Sequence, residues 1–499
     1  MTRSDIDRMF TIIFIISAVI FFLIYRWLKK SNTEEPRKKE FSVGKNHSTQ
    51  QRPDVLFRAG PPDIRESPGG LLRERGLIIL MAIVLRLIFA MAIDGFPNDI
   101  ACFKAWSQAA ADDFAGLYSK GEEFFLDYPP GYMYVLFFLG TIRNLFSIPS
   151  NSAIFTLIIK TPAIIADVVS GNILYHLSAG RLSEKYRLFV MSLYLFNPVV
   201  FFLSTIWGQI DSIVALLILA ACIYLSREKY ELAAVFFAIG VLVKPQGIIF
   251  LPILFFECLY IMLAKREVKR VFIAAACFAG TFVFGVLPFS LGQSPLWIIK
   301  LYLGTLESYN YASMNAYNFF SLLGANFRDA SDTLLFFKFS TWGLLSIVMF
   351  TALTGFVTYM YHKKRLVKDE LHDGNERGNE NGLRDMTNIM PFLGSALLLL
   401  GVTTFAHKMH ERYFFPALLL LLAVYCLNGG AVFGGVYILA STAGFFNSLL
   451  IFSKYYTDNL ENMTMSPAIF TISALTVFAT VIAWLFTLRS KGEIPASTE

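Results

Sequence analysis

The sequence predicts an all-α polytopic membrane protein, on three observations. Apolar runs of roughly 17–25 residues recur along the 499-residue chain, and such runs cross a bilayer only as helices because lipid offers the backbone no hydrogen-bond partner. Hydrophobic residues make up 55% of the chain and charged residues only 16%, with a mean hydropathy of +0.55. Lys and Arg gather between the runs, as the positive-inside rule expects, so the net charge of +6 is no sign of nucleic-acid binding. Five cysteines are scattered with no CxxC pair and read as small core residues.

Candidate spans run over 9–28, 76–93, 131–148, 152–179, 187–205, 209–226, 231–244, 247–264, 270–291, 334–361, 388–405, 412–428, 431–452 and 467–488, which predicts about 13–14 transmembrane helices. The first reads as a retained anchor (1–28), because no small-residue cleavage site follows it and the chain runs on into WLKK. Residues 29–75 carry eleven Lys/Arg against seven acids and read as a flexible cytoplasmic linker. A membrane body over 76–488 and a short cytoplasmic tail over 489–499 complete the expected organisation. Basic loops at 180–187, 265–270 and 362–368 face the cytoplasm, while 94–131, with two Lys/Arg and seven acids, faces outward. The alternation conflicts at one place. An outward 131 and an inward 180 need an odd number of crossings, so either Pro162 divides 152–179 into a hairpin or 131–148 does not cross fully.

Polar clusters collect on the outer side. In 99–118, Ile100, Phe103, Trp106, Ala110 and Phe114 recur at near-helical spacing, which predicts an interfacial helix with Asp99 at its start. There the carboxylate is either a solvated cap or a reactive acid. DYPPGYMY follows, placing Asp127 and Tyr128 before a proline-stiffened helix entry. WGQID sets Trp207, Gln209 and Asp211 between two apolar runs, and KPQ sets Lys244 and Gln246 within another. Ionisable groups in such places are costly and so are functional candidates. Arg86 falls under the same rule, as do Lys160 and Asp167, whose spacing on one helix face predicts mutual neutralisation. Asn315 and Asn318 in NAYN are candidate hydroxyl or phosphate hydrogen-bonders, or ordinary caps.

The segment FAHKMHERYFF, 405–415, packs His407, Lys408, His410, Glu411 and Arg412 between two apolar runs. His407, His410 and Glu411 have the spacing of one helix face, which suits a divalent cation such as Zn²⁺ or Mn²⁺. Lys408 and Arg412 favour a phosphate instead, held by charge-assisted hydrogen bonds. Simple interfacial anchoring is the third reading.

Taken in order, the acidic first outer loop, DYPP, WGQID, KPQ, NAYN and the late HKMHE cluster resemble the GT-C glycosyltransferases over roughly 76–452. The nearest branch is the Gpi18-like mannosyltransferase relatives, with the Alg6/Alg8 glucosyltransferases more distant. The resemblance implies a GT-C-type helix bundle with interfacial helices in its first extracytoplasmic loop. It further implies an inverting transfer of a hexose, mannose favoured, from a polyprenyl-phosphate-linked donor to a glycan, lipid or protein acceptor. Asp99 and Asp127 are the implied catalytic carboxylates, and the histidine cluster is associated with the donor phosphate. Two departures stand out: HKMHE replaces the HxHE of the glucosyltransferases, and Asp99 is not part of a DxD pair. Residue chemistry alone agrees with this outline. An acid such as Asp99 accepts the acceptor's proton, and Lys244, Gln246, His407, His410, Glu411 and Arg412 surround the departing phosphate. Tyr128, Trp207, Gln209, Asp211, Asn315 and Asn318 would line the pocket. The competing class is a transporter or flippase of lipid-linked sugars, whose site belongs near the membrane midplane between repeats that this sequence lacks.

Overall fold

The computed structural model describes residues 68–120, 124–372, 388–428, 431–455 and 467–490. The expected anchor 9–28 and almost all of the 29–75 linker and the 489–499 tail lie outside the described residues. The regular structure of the described chain is helical, apart from a two-residue antiparallel pairing of Thr333–Leu334 with Phe337–Lys338.

Seventeen helices follow in order: α1 Pro68–Ala92, α2 Pro97–Asp112, α3 Pro130–Leu145, α4 Ala153–Leu177, α5 Glu184–Leu195, α6 Pro198–Phe201, α7 Asp211–Ser226, α8 Tyr230–Val243, α9 Leu251–Leu263, α10 Val268–Val286, α11 Trp297–Ser308, α12 Phe319–Leu322, α13 Phe339–His372, α14 Met390–Phe405, α15 Pro416–Asn428, α16 Ala431–Tyr455 and α17 Pro467–Ser490. Every candidate span from 76 onward overlaps a helix, except that 187–205 is broken into α5, α6 and a π turn; helix α1 starts at Pro68, inside the expected linker.

Among the described residues, six helices have the length and apolarity of a membrane span, or seven if the bent pair 184–195 and 198–207 counts as one. Five further apolar helices are shorter. The two groups occupy different places. The short α14 and α15 are buried on every side, with Met390 to Thr404 and Pro416 to Leu427 all inside the bundle. Helix α10 buries only Ala274 and Val286 and turns residues such as Phe272 and Phe284 outward, as a lipid-facing helix does. A multi-pass membrane protein is the architecture these helices make.

Helix α4 runs unbroken through Pro162, which overturns the hairpin reading of 152–179. Helix α3, with 16 residues, is about 24 Å long and falls short of the ~30 Å hydrocarbon core. It also packs unusually close to α2: a Cβ added at Gly140 would lie 2.0 Å from the Ser107 carbonyl oxygen.

Lys160 and Asp167 do not neutralise each other. Asp167 faces Arg86 at 3.5 Å, and Arg86 also donates to the Leu195 carbonyl at 2.7 Å. Lys160 donates to backbone carbonyls instead, at 2.6 Å for Ile93. One helix face cannot reveal which partners neighbouring helices will bring.

Candidate active site

Pro97 at the first turn of α2 presets the helical φ, and the expected inward face forms: Ile100, Phe103, Trp106 and Ala110 are buried. Asp99 lies in that first turn but makes no capping bond. Its Oδ2 accepts a 2.6 Å hydrogen bond from the Trp207 indole, and its Oδ1 stands 3.9 Å from Arg412. The solvated-cap reading of Asp99 is thereby replaced by an inward-facing acid.

Trp207 ends a π-helical turn over Phe202–Trp207, after the Asn197 side chain has capped α6. Gly208 then reverses the chain at φ +88°, a conformation that an L side chain pays for. Phe96 stacks on Trp207 with ring centroids 4.5 Å apart. Asp211 opens α7 and accepts from Lys244 at 2.7 Å; Lys244 also reaches Gln209 at 3.5 Å. Pro245 ends α8 and turns the chain into a 3₁₀ segment, so Lys244 sits at a break where its charge meets Asp211.

The 406–415 segment is not a helix, contrary to the spacing argument for His407, His410 and Glu411. It is irregular chain pinned from the 309–327 loop. Lys408 N donates to the Tyr311 carbonyl at 3.1 Å, Met314 N donates to that of Met409 at 3.0 Å, and Asn318 Nδ2 donates to that of Ala406 at 3.2 Å. Arg412 lies among three acids: it bonds Glu411 and stands 3.9 Å from both Asp99 and Asp211. Its guanidinium is 5.5 Å from the Trp207 ring. The cation among these carboxylates is therefore Arg412 itself. Among the described residues, no three His, Cys, Asp or Glu side chains gather as a metal would need.

Burial alone would lift the Glu411 carboxyl, but Arg412 and His410 hold it down to about 2. The same three acids outweigh the burial of Arg412 and raise its pKa well above the usual value. Burial, aided by the nearby Lys408 charge, lowers His407 to about 4, so this imidazole is neutral at physiological pH. Asp127 moves up because it is buried, even though Tyr309 donates to its Oδ2 at 2.8 Å.

A cavity of about 570 Å³ unites these parts. Asp99, Asp127, Tyr128, Lys244, Gln246, His407, His410 and Arg412 line it, together with Lys408. Trp207, Gln209, Asp211 and Glu411 stand behind that wall and orient it through the bonds described. Asn315 and Asn318 serve the loop instead. Asn315 exchanges side-chain and backbone bonds with Asn326, and Asn318 caps α12 through Ser321 N. Sequence reasoning missed Tyr302, Thr305 and Tyr309, which bring α11 to the cavity. Their spacing of three and four residues was the available signal, hidden among other aromatic residues near a helix end. Apolar side chains also line the cavity, among them Ile248, Ile249, Pro252, Leu398 and Val402. Such an arrangement can accept a proton at a carboxylate while neighbouring cations hold an anion next to an apolar chain.

No curated protein matches the chain. Residues 125–369, just under half of it, match the model of glycosyltransferase family 87, a GT-C-type family. That stretch takes in Asp127, the WGQID and KPQ motifs and the α11 wall, and it stops before the 405–415 segment. The match indicates a glycosyltransferase.

Proposed function

We propose that the protein transfers a hexose, mannose favoured, from a polyprenyl-phosphate donor to an extracytoplasmic acceptor, inverting the anomeric centre. The observation that carries this reading is the single cavity in which two acids, Asp99 and Asp127, meet Lys244, His410 and Arg412 among apolar side chains. Asp99 takes the proton of the acceptor hydroxyl as that oxygen bonds to the anomeric carbon. The bond from that carbon to the phosphate oxygen breaks, and its electron pair leaves with the lipid phosphate toward Arg412, Lys244 and His410. Attack from the face opposite the leaving group inverts the centre. Asp127, kept more readily protonated by burial, orients the acceptor. The apolar part of the lining suits the polyprenyl chain. The loop charge asymmetry supports an outward-facing site in the cell membrane.

The test is purified protein in lipid nanodiscs given polyprenyl-phosphate-linked mannose, glucose or arabinose, with released lipid phosphate measured. Mannose should be preferred, and Asp99→Asn should cut turnover by about 10²–10⁴-fold, while the exposed Asp112→Asn stays near wild type. In sealed vesicles, a cysteine replacing Lys120 should react with an impermeant reagent from outside, and one replacing Lys364 should not. Movement of intact lipid-linked sugar across vesicles, without release of phosphate, would instead establish a flippase.

A further inference from the structure

Lys160 takes no part in the chemistry above, yet it is completely buried in helix α4 close behind the site. A lysine inside a membrane helix is costly, so its retention needs a reason. Its ammonium group donates to three backbone carbonyls: Ile93 at 2.6 Å, Ile206 at 3.4 Å and Ala90 at 3.5 Å. Ala90 lies in the last turn of α1, Ile93 directly follows that helix, and Ile206 lies at the end of the π turn. Carbonyls at helix ends lack intrahelical partners and carry partial negative charge, so the donors of one side chain serve two chain ends at once.

Both chain ends then turn tightly around the lysine. Gly95 follows Ile93 at φ +96°, and a Cβ there would meet the Trp207 carbonyl oxygen at 2.8 Å and Lys160 Cε at 3.2 Å. Gly208 follows Ile206 at φ +88°, and a Cβ there would meet Ile100 Cδ1 at 2.6 Å and Lys160 Cε at 3.3 Å. The two turns are joined by a 2.9 Å hydrogen bond from Phe96 N to the Trp207 carbonyl and by the stacking of their rings. The first turn leads directly into α2 and Asp99. The second carries Trp207, whose indole donates to Asp99 Oδ2 at 2.6 Å.

We infer that Lys160 is a positioning residue: by holding the Ile93 and Ile206 carbonyls it fixes both turns, and through Trp207 it aims the Asp99 carboxylate into the cavity. The inference rests on the reading of Asp99 as the acid of the reaction. A general base displaced by about 1 Å loses on the order of a hundredfold in rate without losing substrate binding.

The variant Lys160→Met keeps the length of the stem and removes the donors. It should lower kcat about ten- to a hundredfold with donor KM within about twofold of wild type. Lys160→Gln, which keeps an N–H donor, should fall between the two and serves in place of Met if that variant does not fold. Trp207→Phe keeps the ring and removes its N–H. If Lys160 acts through Trp207, the double variant should be no slower than the slower single one. Losses that multiply, or a kcat unchanged by Lys160→Met, would overturn the inference, as would an equal rise in KM. A readout independent of turnover uses 5-fluorotryptophan-labelled protein and ¹⁹F NMR, with the Trp207 signal assigned from its loss in Trp207→Phe. Lys160→Met or Lys160→Gln should shift that signal as the indole bond weakens, and an unmoved signal refutes the coupling. Should wild-type protein turn over none of the donors, the proposed function fails, while the NMR result still decides the role of Lys160.

Discussion

Two buried polar clusters sit at opposite ends of helix α13 and use their hydrogen-bonding capacity differently. Gly343 packs against His407 at the site, and His362 lies nineteen residues further along the same helix, about 28 Å away. There, both oxygens of Glu257 face His362 Nε2 at 3.2 Å and Asn388 Nδ2 at 3.3 Å, and Tyr260 stacks on the imidazole at 3.7 Å. Among the described residues, that cluster leaves only His362 Nδ1 without a partner. The site leaves five such atoms: Gln209 Nε2, Asp211 Oδ2, Gln246 Oε1, His407 Nδ1 and Arg412 Nε. Buried polar atoms are normally satisfied; of these five, Asp211 Oδ2 and Arg412 Nε face each other at 3.9 Å, and Gln246, His407 and Arg412 line the cavity. The Glu257 cluster, by contrast, ties α9, α13 and the entry to α14 together. Burial and charge alone do not separate the two clusters; the cavity that adjoins only the first sets them apart among the described residues.

The largest change should come from Arg412→Gln, which leaves Asp99, Asp211 and Glu411 without their shared guanidinium. Breaking a buried pair costs about 3–5 kcal/mol of stability, and a lost charge-assisted contact costs about 1.5–3 kcal/mol in donor binding. Thermal melts in detergent and donor titration read the two separately. Wild-type donor affinity in Arg412→Gln would reduce the 406–413 segment to an interfacial anchor. Glu257→Gln should do the reverse, lowering stability by about 1–3 kcal/mol with turnover unchanged. If it abolishes turnover in folded protein, the contrast between the two clusters collapses. The smallest effect is set by His407. Its folded pKa of about 4 lies below the ~6.5 of an unfolded histidine, so the unfolded chain binds more protons between these values. The stability it contributes is complete above pH 6.5 and is lost as pH falls toward 4. Replacing His407 with Gln should flatten part of the fall in melting temperature across that window, and an identical pH profile would show that His407 is accessible to protons when folded.

Much of this was legible in the sequence because membrane runs make polar residues conspicuous. Asp99, WGQID, KPQ and HKMHER stood out for their cost, and the structure brings all four to one place. What stayed hidden depended on partners from other helices. Lys160 and Asp167 share a face of α4, but Arg86 and the carbonyls of two chain ends reach them first. Asn315 and Asn318 have the chemistry to bind hydroxyls, yet a long loop has its own backbone to satisfy. The HKMHE spacing suggested a helix face, but tertiary contacts with the 309–327 loop hold the segment as irregular chain. Tyr302 and Tyr309 were indistinguishable from aromatic residues at a membrane surface, and Thr305 between them carried no signal of its own.

The close approach at Gly140 has a kinematic consequence. With the Ser107 carbonyl where a side chain would need to be, α2 and α3 cannot slide past one another. A Cβ at Gly131 would likewise lie 2.6 Å from the Leu242 backbone, two residues before Lys244. Asp99, Asp127 and Lys244 thus stand on or beside elements whose backbones meet directly, so a change in their spacing has to open those contacts.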